Sequence, residues 1–117
     1  MSAATIYGIK NCDTMKKTFR WMDENGVAYD FHDYKKEGAN ISVLKKAIDT
    51  YGWEIVINKR GTTWRKLDDA MKEQMDERLA ITIATDNPSI IKRPIIVQDD
   101  RVMVGFDADD LASAFIP

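Results

Sequence analysis

Cys12 is the residue whose type and position best suit covalent chemistry, because it is the single cysteine among 117 residues. The segment before it, Ala4-Thr5-Ile6-Tyr7, is short, rich in β-branched and aromatic residues and followed by glycine, which predicts a strand. After it, apolar residues recur at helical spacing from Met15 to Met22, until Asn25-Gly26 ends the pattern. Cys12 is therefore predicted to lie where a strand ends and a helix begins.

A cysteine at such a junction is expected to be reactive. Unpaired backbone N–H groups and the helix dipole stabilise a thiolate, and they lower a thiol pKa below its usual value of about 8.5. Lys10 adds positive potential, and Asn11 and Thr14 are candidates for hydrogen bonds at the entrance of the helix. The alternative is that Cys12 is a small buried hydrophobe, as most lone cysteines are.

Length and composition indicate one domain that spans residues 1–117. The chain is 44% hydrophobic and 31% charged, which is typical of a globular protein with one core. No apolar run approaches the ~20 residues that cross a bilayer. The first residues lack the features of a secretory signal, so we expect a cytoplasmic protein without a membrane partner. A net charge of −2 gives no nucleic-acid signature, so we expect no nucleic-acid partner either.

One cysteine and one histidine exclude several kinds of site. They cannot form an intrachain disulfide or a usual structural zinc site, so no metal is expected. Met15 stands where a CxxC motif would have its second cysteine, and Thr18 stands where the Cys-x5-Arg loop of a phosphatase would have its arginine. For His32, which falls in a predicted strand, we favour a structural role over a catalytic one.

The remaining patterns predict the elements that position Cys12. Residues 27–33 alternate as a second strand, and a helical crossover to it implies parallel pairing with the first strand. Two further strands, residues 95–97 and 102–105, form an antiparallel hairpin, and Asp107 caps a last helix. The order β-α-β followed by β-β-α predicts an α/β thioredoxin-like fold with a mixed four-stranded sheet.

A helical insertion is predicted between the two halves, at about residues 40–86. Ser42 is the expected N-cap of its first helix, which ends at Gly52. Residues 53–57 are predicted to be a strand by propensity alone. Thr63 is the expected cap of a short helix, and residues 68–85 are predicted to form one helix or two short ones.

Four segments carry a family resemblance. They are Tyr7-Gly8-Ile9-Lys10-Asn11-Cys12-Asp13-Thr14, Asn58-Lys59-Arg60-Gly61-Thr62-Thr63-Trp64, Ile91-Lys92-Arg93-Pro94-Ile95-Ile96 and Val104-Gly105-Phe106. In this order they resemble the ArsC/Spx, or arsenate-reductase-like, family, and most closely its YffB-type branch. The segments are spread over essentially the whole chain. The resemblance implies a thioredoxin-like fold with a helical insertion, and it implies that residues 53–57 are helical, against their propensity.

The resemblance also assigns site residues. It makes Cys12 the redox thiol, and it implies a cis bond before Pro94, where exposed backbone groups pair with a thiol-bearing peptide. It places Arg93 beside the sulfur, where a guanidinium lowers the thiol pKa and holds an oxyanion. Arsenate reductases of the family use three arginines. Arg93 matches one of them, Arg60 lies two residues beyond the place of another at Asn58, and no arginine stands at the third.

These features favour a monothiol thiol-disulfide reductase with glutathione as co-substrate and with no bound cofactor. Cys12 and Arg93 are its expected catalytic residues. The expected partners are glutathione or another small thiol and a protein disulfide. Its expected substrate-binding residues are Lys10, Asn11, Thr14, Arg60 and Pro94. Two alternatives stay open, namely a regulatory protein-binding module like Spx and a weak arsenate reductase.

Overall fold

The computed structural model describes residues 3–117, which form two compact units. The first unit combines residues 3–33 with Arg93–Pro117, and the second is Tyr34–Lys92. The elements are β1 (Ala4–Gly8), α1 (Asp13–Glu24), β2 (Tyr29–Asp33), α2 (Tyr34–Glu37), α3 (Ile41–Tyr51), α4 (Trp53–Val56), α5 (Thr62–Arg65), α6 (Asp69–Glu73), α7 (Glu77–Asp86), a 3₁₀ turn (Pro88–Ile90), β3 (Ile95–Gln98), β4 (Arg101–Val104) and α8 (Ala108–Phe115). Among the described residues, no helix has both the length and the apolar character needed to cross a membrane.

The first unit is built on a mixed four-stranded sheet in the order β2-β1-β3-β4. β1 pairs in parallel with β2, which the chain reaches through α1, and antiparallel with β3. β3 and β4 form the predicted antiparallel hairpin. This is the thioredoxin-like arrangement, so the predicted fold class is confirmed.

One face of this sheet carries the core of the first unit. Ile6 of β1 and Ile96 of β3 pack in one buried cluster with Met15 and Met22 of α1 and Leu111 of α8. The helical spacing of the apolar residues in α1 therefore marks its buried side. α1 is held at its first turn by this packing and by the strand that precedes it.

The single histidine, His32, lies on the opposite face of the β1–β2 pair. Tyr7 and His32 are partners in the register of β1 and β2, and their ring centroids lie 4.8 Å apart. His32 thus makes the packing contact that a structural strand residue would make.

Residues 53–57 of the second unit correct the propensity-based prediction. Trp53–Val56 form helix α4 rather than a strand, as the family resemblance implied, while Ile57 is extended and makes an isolated bridge to Ile91. The carbonyl of Gly52 accepts hydrogen bonds from Ile55 and Val56, which starts the helix directly after α3. Burial of Val56 overrides the β-propensity of the segment.

Two predicted helix caps are also wrong. Asn40, not Ser42, caps α3, because its Oδ1 accepts a hydrogen bond of 3.1 Å from the amide of Val43. Asparagine is as good an N-cap as serine, and the helix starts earlier than its apolar face indicates. Thr63 lies inside α5, and its hydroxyl bonds to that of Ser89 at 2.8 Å. The caps predicted at Gly52 and Asp107 are confirmed, and residues 68–85 form two short helices, α6 and α7.

Candidate active site

Cys12 is the N-cap residue of α1, at the junction of strand and helix that the sequence predicted. Its backbone is extended, with φ −146° and ψ 131°, and its carbonyl accepts the first hydrogen bond of the helix from Lys16 at 3.0 Å. The side chain is half-buried and packs against the core cluster of the first unit. Cys12 is thus neither fully buried nor loosely exposed, and this intermediate position suits a thiol that reacts with an incoming sulfur.

Competing influences act on the Cys12 thiol. Its burial is the largest single one and raises the pKa, because the charged form loses solvent. The backbone amide of Met15, the Arg93 side chain and the amide of Thr14 act in the opposite direction through hydrogen bonds, and the positive charge of Arg93 adds to them. Together they outweigh burial, so the pKa of Cys12 lies below its ordinary value. The sulfur forms no regular N-cap hydrogen bond, yet these groups favour its anion.

Arg93 reaches Cys12 from the other segment of the first unit. It lies two residues before the start of β3, and its Nε atom is buried. The bond from Arg93 to Pro94 is cis, as the resemblance implied. The carbonyl of Pro94 accepts a hydrogen bond of 2.8 Å from the amide of Gly105, which follows β4. The ends of β3 and β4 therefore fix the loop from which Arg93 extends toward the thiol.

The other predicted residues of the first unit lie around the same junction. Lys10 and Asn11 are exposed in the loop between β1 and α1. Thr14 acts through its backbone amide, and its carbonyl accepts the hydroxyl of buried Thr18 at 2.8 Å. The structure therefore assigns Thr14 a main-chain contribution, which residue type alone does not reveal.

Arg60 belongs to the second unit. It is exposed in a tight loop, where the Oδ1 of Asn58 accepts its amide at 3.2 Å and the carbonyl of Asn58 accepts the amide of Gly61 at 3.2 Å. Within that unit the neighbouring Lys59 ammonium lies 4.8 Å from the ring centroid of Trp53. The role predicted for Arg60 in substrate binding stays a prediction.

Sequence reasoning missed the part played by Met15. In the sequence, Met15 served only to exclude a CxxC motif. In the structure, its amide acts directly on the sulfur of Cys12. Its position three residues after the N-cap was the available signal, because that amide is a usual partner of an N-cap side chain. Among the described residues, no three His, Cys, Asp or Glu side chains are grouped so as to hold a metal ion.

The fold and the site define a thioredoxin-like protein with one cysteine at the N-cap of its first helix. The chain belongs to the ArsC family, whose sequence model matches residues 7–114. The solved structure of a YffB protein is 48% identical, with a TM-score of 0.92 over 96% of this chain and 98% of that one. An uncharacterized protein of Haemophilus influenzae is 41% identical over 95% of this chain and 97% of its own. The global transcriptional regulator Spx of Streptococcus mutans is 28% identical over 97% of this chain and 82% of its own.

Proposed function

We propose that this protein is a monothiol, glutathione-dependent thiol-disulfide reductase that acts through Cys12. The observation that carries the proposal is the convergence of the Met15 amide and the Arg93 side chain on a half-buried Cys12 sulfur. A thiol with a lowered pKa supplies more of the thiolate at neutral pH, and the thiolate is the nucleophile in disulfide exchange.

In the first step, the Cys12 thiolate attacks the glutathione sulfur of a protein–glutathione mixed disulfide. The Cys12–glutathione bond forms, the original disulfide breaks, and the protein substrate leaves as a thiolate that takes a proton from solvent. Arg93 stabilises the attacking anion in this step, because its guanidinium already hydrogen-bonds to the sulfur.

In the second step, an external thiol must release the enzyme, because the chain has no second cysteine to do so. The thiolate of a second glutathione attacks the glutathione sulfur on Cys12. Oxidised glutathione leaves, and the Cys12 thiolate is regenerated. The net reaction converts the protein–glutathione mixed disulfide and one glutathione thiol into a protein thiol and oxidised glutathione.

The neighbouring residues bind the substrates. Arg93 and Lys10 attract the carboxylates of glutathione, and Asn11 and Thr14 donate hydrogen bonds at the entrance of α1. The backbone around Pro94 pairs with the peptide that carries the reacting sulfur.

Arsenate reduction is a poorer fit to these residues. The third arginine that arsenate binding requires would fall at Val104-Gly105, where the chain has none. Gly105 has a φ of +83°, a conformation that other residues adopt only with strain. An arginine at position 105 would therefore have a strained backbone conformation.

A regulatory module is the second candidate function, and the similarity to Spx over nearly the whole chain favours it. Such a module would bind a partner protein and would not need a catalytic thiol. The absence of a second cysteine at Met15 argues against a two-cysteine redox switch of the Spx type.

Incubation with oxidised glutathione, followed by mass spectrometry, tests the proposal. We expect one glutathione adduct per chain on Cys12 and its removal by added glutathione, whereas Cys12→Ser should form none. Turnover of a glutathionylated protein substrate with glutathione should follow the same pattern. A Cys12 that stays unmodified in the folded protein would refute the reductase and favour the binding module.

A further inference from the structure

Gly8, the last residue of β1, lies against the side chain of Met15 in the first turn of α1. A Cβ atom placed on Gly8 would lie 2.5 Å from Met15 Sδ and 2.7 Å from its Cε, which is well inside van der Waals contact. The φ of Gly8 is not among the positive values found at other glycines of the chain. Space, rather than backbone conformation, is therefore what favours glycine at this position, because a Cβ would force the end of the Met15 side chain to move.

Both sides of this contact are held in place. Met15 is fully buried in the core cluster of the first unit, together with Ile6 and Leu111. Gly8 pairs with Asp33 in the sheet, so its backbone is fixed by the parallel strand. A methionine side chain is flexible, but here a close-packed core limits where its end can go. A larger residue at position 8 would therefore displace the first turn of α1.

That turn is also the part of the helix that acts on Cys12. The Met15 side chain rests on Gly8 while the Met15 amide favours the Cys12 anion, so one residue carries both the anchor and the donor. The hydroxyl of Thr18 bonds to the carbonyl of Thr14 at 2.8 Å, which ties the turn together. The attraction between a backbone N–H group and an anion falls as their distance grows, so a displacement of the turn changes the stability of the thiolate.

We propose that Gly8 and Met15 are positioning residues for the thiolate: the Met15 side chain, seated against Gly8, holds the first turn of α1 where its amides stabilise the anionic sulfur of Cys12. The inference rests on the proposed function, in which that thiolate is the reacting group. Gly8 and the side chain of Met15 take no direct part in the chemistry, whereas the Met15 amide acts on the sulfur.

The test is a thiol titration of Gly8→Ala, Met15→Ala and the double variant, followed by the ultraviolet absorbance of the thiolate. Each single change should raise the pKa of Cys12 by about half a unit, which is about a threefold loss of thiolate below the pKa. In the double variant the new methyl group has room where the methionine was. Its pKa should therefore rise by less than the sum of the single effects.

Met22→Ala is the matched control, because Met22 is equally buried in α1 and packs in the same cluster. Thermal melts should show a comparable loss of stability in Met15→Ala and Met22→Ala, whereas only Met15→Ala should shift the Cys12 titration. If Gly8→Ala does not fold, Met15→Leu asks the same question, because it keeps the volume but places a branch near Gly8.

Two results would overturn the inference. One is an unchanged Cys12 pKa in Gly8→Ala, or in Met15→Leu if that variant replaces it, and the other is an equal shift in Met15→Ala and Met22→Ala. Neither result depends on a substrate. A wild-type protein that forms no glutathione adduct would instead refute the proposed reductase, and the titrations would still decide the role of Gly8 and Met15.

Discussion

The side chain of Arg93 hydrogen-bonds to the sulfur of Cys12, although the whole helical second unit separates the two residues along the chain. The thioredoxin-like topology brings them together, because β1, which leads to Cys12, pairs directly with β3, which follows Arg93. The adjacent strands of one sheet therefore determine how close the guanidinium lies to the thiol.

Replacement of Arg93 by alanine should raise the pKa of Cys12 and slow the formation of the glutathione adduct. The substitution removes both a hydrogen bond to the thiolate and a nearby positive charge. Ultraviolet titration and the rate of adduct formation measure the two effects. Arg93→Lys keeps the charge but loses the planar guanidinium donor. The pKa of Cys12 in Arg93→Lys should therefore lie between its values in the wild type and in Arg93→Ala. An unchanged pKa and adduct rate in Arg93→Ala would exclude Arg93 from the site.

The stability of the protein should depend on pH through Cys12. The folded thiol has a lowered pKa, so between that pKa and the unfolded value of about 8.5 the unfolded state binds more protons. Ionisation of Cys12 therefore adds stability that is complete above the unfolded pKa and is lost as the pH falls through the folded pKa.

Denaturant unfolding of the wild type and Cys12→Ser over this pH range checks the prediction. The difference between the two free energies of unfolding should grow in favour of the wild type as the pH rises. A constant difference would show that the thiol ionises equally in both states.

Arsenate should be a poor substrate. Each missing charged hydrogen bond weakens anion binding by about 1.5–3 kcal/mol. The third arginine of the arsenate site is absent at Val104-Gly105, and Asn58 stands near the place of the first. Steady-state assays with glutathione and glutaredoxin as reductants measure this. Turnover close to that of a genuine arsenate reductase would contradict the assignment.

The cap of α3 distinguishes the structure from the sequence-based prediction. Asn40→Ala should destabilise the protein by about 0.5–2 kcal/mol, because the amide of Val43 loses its acceptor. Ser42→Ala, at the exposed position that the sequence favoured, should change stability very little. Thermal or denaturant unfolding of both variants compares them, and an equal loss would argue against Asn40 as the cap.

These residues show which features a sequence can predict. Alternation, helical spacing and glycine stops are local, so they correctly predicted the four strands, α1 and the place of Cys12 between β1 and α1. Helix α4 was missed from propensity because most of its residues are β-formers, whereas its first turn bonds to the carbonyl of Gly52 and Val56 is buried. The cap at Asn40 was missed because several polar residues there have similar capping strength.

The site shows the same division. Cys12 was recognisable from its position between two elements, whereas the placement of Arg93 beside it came from family resemblance. The contact between Gly8 and Met15 depends on tertiary packing to a fraction of an ångström. No pattern in the residue types encodes such a distance.

The place of the second unit in the chain has a consequence for biosynthesis. β1 has β3 as one of its two neighbours, and both β3 and Arg93 are synthesised after the second unit. A nascent chain that ends before Arg93 contains Cys12 but lacks the guanidinium and half of the sheet. Cys12 therefore emerges from the ribosome before Arg93 can help to lower the pKa of its thiol. That contribution is added only when the C-terminal segment completes the sheet.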